Sequence, residues 1–205
     1  MTSASTEPEQ PTMSDLRFLA LSGSLRRGSH NTGLLHALKA LAPAGVTVEV
    51  HEGLGELPYF NQDREEVPPA AVEDLRARVR EADGLIIATP EYNSAIPGVL
   101  MNALDWLSRP SGDSSLRGRP TAILGASPSQ FGTARGQLVL RQILHRVQAP
   151  VVAHPEVTVF RSHQRFDADG TFLADEFTES LLKELLAELV RLAELTPARA
   201  DRVPA

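Results

Sequence analysis

From residue 17 onward, short apolar runs alternate with longer stretches in which leucine or valine returns every third or fourth position. The short runs are RFLALS (17–22), GVTVEVHE (45–52), GLIIATP (84–90), RPTAILGAS (119–127) and PVVAHPEVTVF (150–160). In the second run Val46, Val48 and Val50 alternate with polar residues, the period of a half-buried strand. The third run is apolar throughout, as a central strand covered on both faces should be. Pro155 interrupts the fifth, because proline cannot donate to a ladder. The longer stretches predict helices over 31–42 (Leu34, Leu35, Leu38 and Leu41 on one face), 70–82 (Val72, Leu75, Val79), 97–108 (Leu100, Ala103, Leu104, Leu107), 133–147 and 175–195. The last is leucine-rich on a wide face, with Lys183, Glu184, Glu188, Arg191 and Glu194 opposite. DADGTF (167–172) reads as a hairpin-type turn.

Five strands alternating with helices specify a parallel α/β sheet with helices on both faces. Such sheets bind ligands beyond the carboxyl ends of their strands, where the strand order reverses. The loops to inspect are therefore 22–31, 90–93 and 127–133. The first, SGSLRRGSHN, holds two glycines, three serines, two arginines and an asparagine, and no acid. Open backbone N–H groups at a helix start favour an anion, and hydroxyls with a guanidinium complete a phosphate cradle. Ser29 stands where a Walker loop needs lysine, and Leu25 where G-x-G-x-x-G needs glycine. A monophosphate held by the serines and Arg26 is the expectation. The plainer reading, Ser29 or Asn31 as a helix N-cap, accounts for one polar residue of several. The second loop, PEYN, places an acid, a phenol and an amide on a tight turn. Pro97 suits a first helical position, Asn93 and Ser94 suit the turn itself, and Tyr92 has a core reading as well as a ligand-facing one.

Composition narrows the chemistry. The chain has 205 residues, enough for one domain with a full core. A net charge of −6 argues against a nucleic-acid binder. With no cysteine, disulfides, iron–sulfur clusters, thiolate zinc sites and thiol nucleophiles are excluded, so redox chemistry has to come from a bound cofactor. The six histidines (30, 36, 51, 145, 154 and 163) make no metal-ligand pair at helical spacing. Ser24 does not sit in G-x-S-x-G. Residues 1–14 are polar and Pro-containing, without a basic start or apolar run, and are expected to be a disordered tail rather than a secretory signal. That makes a cytoplasmic location the default. Residues 15–197 are expected to form the domain, and 198–205 a C-terminal tail.

GSLRRGSHN together with PEYNSAIPGVLMNALDWLSRP resembles the NAD(P)H-dependent FMN reductase family, a flavodoxin-like group that includes quinone, chromate and azo-dye reductases. LPYFNQD (57–63) and GASPSQFGTARGQ (125–137) are similar to its two other recurring segments, in the expected order. The resemblance implies a flavodoxin-like three-layer sandwich with a five-stranded parallel sheet of order 2-1-3-4-5. It implies non-covalent FMN, NADPH or NADH as co-substrate, a small electron acceptor such as a quinone, and a homodimer or homotetramer. Carried over by position, Ser24, Arg26, Ser29 and Asn31 would hold the FMN phosphate, with Thr32 close by. Pro90, Glu91, Tyr92 and Asn93 would line the flavin ring, largely through backbone groups. Ser127, with Phe131 and Gly132, would approach it from the third loop. No side chain is assigned as a catalytic acid or base, since the flavin carries the chemistry. LPYFNQD would help build a subunit boundary and substrate cleft, or else be a surface loop anchored by Tyr59 and Phe60. The chain departs from the family at Met101, where lysine is common. The competing reading is a flavodoxin-like FMN electron carrier, which would need a partner protein.

Overall fold

The computed structural model describes residues 15–196, and both expected tails fall outside them. The sheet comprises β1 (Leu16–Ser22), β2 (Val46–His51), β3 (Gly84–Ala88), β4 (Thr121–Ala126) and β5 (Val157–Val159). All pairs are parallel and the order is β2-β1-β3-β4-β5. The helices are α1 (His30–Ala40), α2 (Ala70–Glu81), α3 (Gly98–Leu107), α4 (Ala134–Arg146) and α5 (Glu176–Leu195).

Side-chain alternation along the strands builds two cores. Phe18, Ala20, Ile86, Ala88, Ala122 and Leu124 face one way and meet leucines of α1 and α5. Leu19, Leu21, Leu85, Ile87 and Ile123 face the other way and meet α2, α3 and α4. Every residue of β3 is buried, which is why its sequence has no polar phase. The fifth run splits at Pro155: Val151 bridges Thr121 before it and β5 proper follows it. The expected turn is present, with Phe166 bridging Phe172 and Asp167 N donating to Thr171 O at 3.0 Å.

Trp106 is fully buried, and its Nε1–H donates to Pro58 O at 2.8 Å. Asn102 Oδ1 accepts from Phe60 N at 2.7 Å, and Phe60 meets Trp106 edge-on at 4.9 Å. Segment 57–63 is thereby docked on α3 through Phe60, while Tyr59 is 90% exposed and anchors nothing.

β1 and β3 are neighbours, yet the chain leaves β1 for α1 on one face and β3 for α3 on the other. Their carboxyl ends lie level, Ser22 opposite Ala88. That is the switch in strand order, and the three loops of interest converge on it.

Candidate active site

The first loop is pinned at both ends. Gly23 N donates to Ala88 O at 2.8 Å, and a Cβ there would stand 3.2 Å from both Ala88 O and Leu100 Cδ2, so the loop leaves the sheet hard against β3. At the far end Ser29 caps α1, its Oγ accepting from Thr32 N at 3.2 Å. Thr32 Oγ1 in turn lies 2.7 Å from Ser22 Oγ. Between these anchors, among the described residues, the N–H groups of Arg27, Gly28 and Ser29 meet no protein acceptor. Among the described residues the Arg26 guanidinium forms no ion pair, and it folds back, with Nη1 3.5 Å from where a Cβ on Gly28 would stand. Ser24 is partly exposed in the same loop. This donor-rich, acid-free stretch at a helix start fits a phosphate.

Asn31 has a different task from the one expected of it. It is buried, and its amide pairs with both backbone groups of Ala126: Nδ2 donates to the carbonyl at 3.0 Å and Oδ1 accepts from the N–H at 2.9 Å. It ties α1 to the end of β4 and so fixes the loop's base.

The loop after β3 is a two-residue hairpin. Tyr92 and Ala95 exchange both backbone hydrogen bonds at 3.0 Å, and Asn93 and Ser94 between them have φ of 52° and 63°. Two successive left-handed residues make a type I′ turn, which favours asparagine at its first position. Tyr92 is 53% exposed, which removes the core reading for it. Glu91 points the other way. Its side chain is only 5% exposed, and Oε2 accepts from the N–H groups of Arg135 and Gly136, each at 3.0 Å, while Oε1 accepts from Arg135 Nε at 2.7 Å. A carboxylate from one loop thus caps the helix that follows the next, where the helix dipole also favours it. The local sequence offers Thr133 as the cap of α4, but its hydroxyl makes no capping bond and accepts from Gln137 Nε2 at 3.0 Å instead.

The loop after β4 folds on its own hydroxyls. Ser127 Oγ accepts from Ser129 N at 3.2 Å, and Ser129 Oγ donates to Gly132 O at 3.2 Å. Gly132 has φ of 58° and is buried. Phe131 is 67% exposed, with the Arg135 guanidinium 5.3 Å over its ring. A Cβ on Gly125 would stand 2.2 Å from Thr133 Oγ1 and 2.4 Å from Thr89 O, so this loop approaches the β3 loop closely because Gly125 lacks one. The result is a shelf at the switch point with a phosphate cradle on one side and two half-exposed aromatic rings, Tyr92 and Phe131, on the other. A flat aromatic ring with a polar edge and a phosphate tail matches both halves.

A profile of NADPH-dependent FMN reductases matches residues 16–164, a span holding all three loops. The chain belongs to this family. It is 42% identical over 174 residues to an NAD(P)H-dependent FMN reductase of Pseudomonas aeruginosa, covering 84% of this chain and 93% of the relative. It is 39% identical over 161 residues to a 2-hydroxy-1,4-benzoquinone reductase of a Burkholderia species, covering 78% and 87% respectively. Among solved structures, the flavoenzyme NAD(P)H:acceptor oxidoreductase FerB of Paracoccus denitrificans superposes with a TM-score of 0.79 at 32% identity, covering 88% of this chain and 98% of that one. This FMN reductase is therefore an oxidoreductase that uses FMN with NAD(P)H as co-substrate, and the carrier reading gives way. A cavity of about 790 Å³ lies apart from the shelf, between α3 and α4, lined by Met101, Asp105, Arg109 and Arg146 among others and by no residue of the three loops. Among the described residues no helix is long and apolar enough to cross a membrane.

The Glu91 contact gives a direct expectation for this FMN reductase. Glu91→Gln keeps the shape but loses the charge and one acceptor, since an amide nitrogen cannot accept. Such substitutions cost about 1–3 kcal/mol. Chemical denaturation should register that loss, and the flavin-ring environment should change because two loops are no longer tied. Unchanged stability with an unchanged flavin spectrum would contradict the capping role.

Proposed function

We propose that this FMN reductase passes electrons from NAD(P)H to a small quinone. The observation that carries this reading is the open aromatic shelf at the switch point, flanked by Tyr92 and Phe131, whose one buried carboxylate among the described residues, Glu91, is turned away and committed to the start of α4. When bound there, FMN supplies the redox chemistry, accepting a hydride from NAD(P)H and returning two electrons to the acceptor. The protein's own part is binding and orientation. Ser24, Arg26, Ser29 and the N–H groups around Gly28 hold the phosphate, with Thr32 and Asn31 fixing the helix start behind them. Pro90, Glu91, Tyr92 and Asn93 present the hairpin to the ring edge, and Ser127, Phe131 and Gly132 close the opposite side. An acceptor that is itself a flat ring stacks on such a shelf without a dedicated side-chain base, because a quinone takes up its protons from solvent at an open cleft. The relatives point the same way, the Burkholderia enzyme being a reductase of 2-hydroxy-1,4-benzoquinone.

The enzyme is taken to be cytoplasmic and to work as a homodimer or homotetramer. Tyr59, held far out on a segment docked to α3, supports a subunit boundary there. The experiment is steady-state NADPH oxidation with benzoquinones, chromate, an azo dye and free FMN as acceptors. The highest kcat/KM is expected with a benzoquinone. A higher value with any other acceptor overturns the quinone assignment.

A further inference from the structure

His30 is the first residue of α1, one position after the capping Ser29. Its ring is stacked on Phe166 at 4.6 Å and 10°. Its Nδ1 lies 2.7 Å from Ser162 Oγ, across 132 residues of sequence. Ser162 is fully buried, and among the described residues its hydroxyl has no other partner. A buried hydroxyl proton needs an acceptor, so Ser162 O–H donates to Nδ1 and the ring's own proton sits on Nε2. Protonating Nδ1 would leave the Ser162 proton without an acceptor. The surroundings agree: burial, then Arg26, then His163 lower the His30 pKa. The nearby acids do not offset this. Asp167 Oδ1 accepts from Asp169 N and Thr171 N, and Arg165 on the same segment is paired with Asp175.

Ser162 also reaches the loop after β4, its N–H donating to Ser127 O at 3.1 Å, while Arg161 N donates to Ser129 O at 3.1 Å. The turn that follows is packed on the first loop: a Cβ on Gly28 would stand 3.1 Å from Ala168 O, and one on Gly170 2.8 Å from the Gly28 carbonyl carbon.

We propose that His30, Ser162 and Phe166 form a clamp that sets the phosphate loop against the loop after β4, with neutral His30 as a positioning residue for the phosphate half of the flavin site. This rests on the FMN reading above. The side-chain bond bears on the start of α1 behind the phosphate loop, whereas the loop after β4 is held by the backbone N–H groups of Arg161 and Ser162, which the substitutions leave in place; loss of the clamp should therefore weaken whatever the phosphate contributes and spare the ring half.

The test measures affinities of the apoprotein for FMN and for riboflavin, which lacks the phosphate, by quenching of flavin fluorescence. His30→Phe keeps a ring on Phe166 but removes the acceptor; His30→Asn restores one through Oδ1. Ser162→Ala removes the donor. His30→Phe and Ser162→Ala are each expected to weaken FMN binding about tenfold with riboflavin unchanged, and the double variant to be no worse than either, since they break one interaction. His30→Asn is expected to recover most of the loss. Equal losses for FMN and riboflavin, wild-type FMN affinity in His30→Phe, or additive losses would overturn the clamp. Imidazole nitrogen shifts by NMR add an independent arm: a proton on Nε2 is expected, and one on Nδ1 overturns the proposal. If wild-type apoprotein takes up neither flavin, the FMN reading fails, while the NMR arm still decides the clamp.

Discussion

Gly33→Ala should lower the melting temperature by about 10 °C and sharply reduce FMN uptake, although it places the better helix former inside α1. On propensity alone the change should stabilise by about 1 kcal/mol. The contact decides otherwise. A Cβ on Gly33 would stand 1.9 Å from Gly170 O, a backbone atom of a turn whose own φ is 85°, and 3.3 Å from Phe166. Backbone cannot swing aside as a flexible side chain can, so the turn must lift from α1. Overpacking of this kind costs about 3 kcal/mol, or roughly 10 °C in a domain of this size. The same turn rests on Gly28 and so on the phosphate loop, which links the stability loss to the binding loss. Gly98→Ala is the control. It lies at the first position of α3 with nothing within 4 Å of its Cβ site, and should be neutral or slightly stabilising. Thermal unfolding of the two variants, with FMN titration, checks both statements. A wild-type melting temperature for Gly33→Ala would contradict the packing described.

Arg26→Glu should weaken FMN binding by about a hundredfold or more and leave riboflavin binding nearly untouched. Arg26 is exposed and among the described residues its guanidinium forms no ion pair, so the fold should not depend on it; surface changes of this sort stay within about 0.5 kcal/mol. For the ligand the change is large. A hydrogen bond to a charged group is worth about 1.5–3 kcal/mol, and the reversal adds repulsion to that loss, with each 1.4 kcal/mol worth about tenfold. Salt should shrink the difference between variant and wild type, because the loop is open to solvent. Flavin-fluorescence titrations at two ionic strengths read all of this. Equal affinity for FMN in the two proteins would remove Arg26 from the phosphate site.

What was legible in the sequence is what is local. The unbroken apolar run of β3 and the leucine face of α5 announced themselves because burial on two faces, or on one stripe, writes a period into neighbouring residues. The first loop was legible for the same reason, its serines, glycines and arginines being consecutive. The hairpin after β3 was half legible: asparagine signalled a turn, but the left-handed pair Asn93 and Ser94 came only with the structure. The ties between loops left no local trace. Glu91 reaches α4 across 44 residues, Asn31 reaches Ala126 across 95, and His30 reaches Ser162 across 132. Asn31 follows the serines and so resembles a phosphate ligand in sequence, whereas its amide is committed to β4. Glycine at position 33, inside a leucine-rich helix, is costly unless something sits against it, and Gly170 does.

The most direct test of the central claim is a visible absorbance spectrum of the purified protein reconstituted with FMN, recorded before and after anaerobic addition of NADPH. Bound-flavin bands that bleach with NADPH and return when a benzoquinone is added are the expected result. Bands that persist through both NADPH and NADH, or a protein that takes up no FMN at all, would contradict the account.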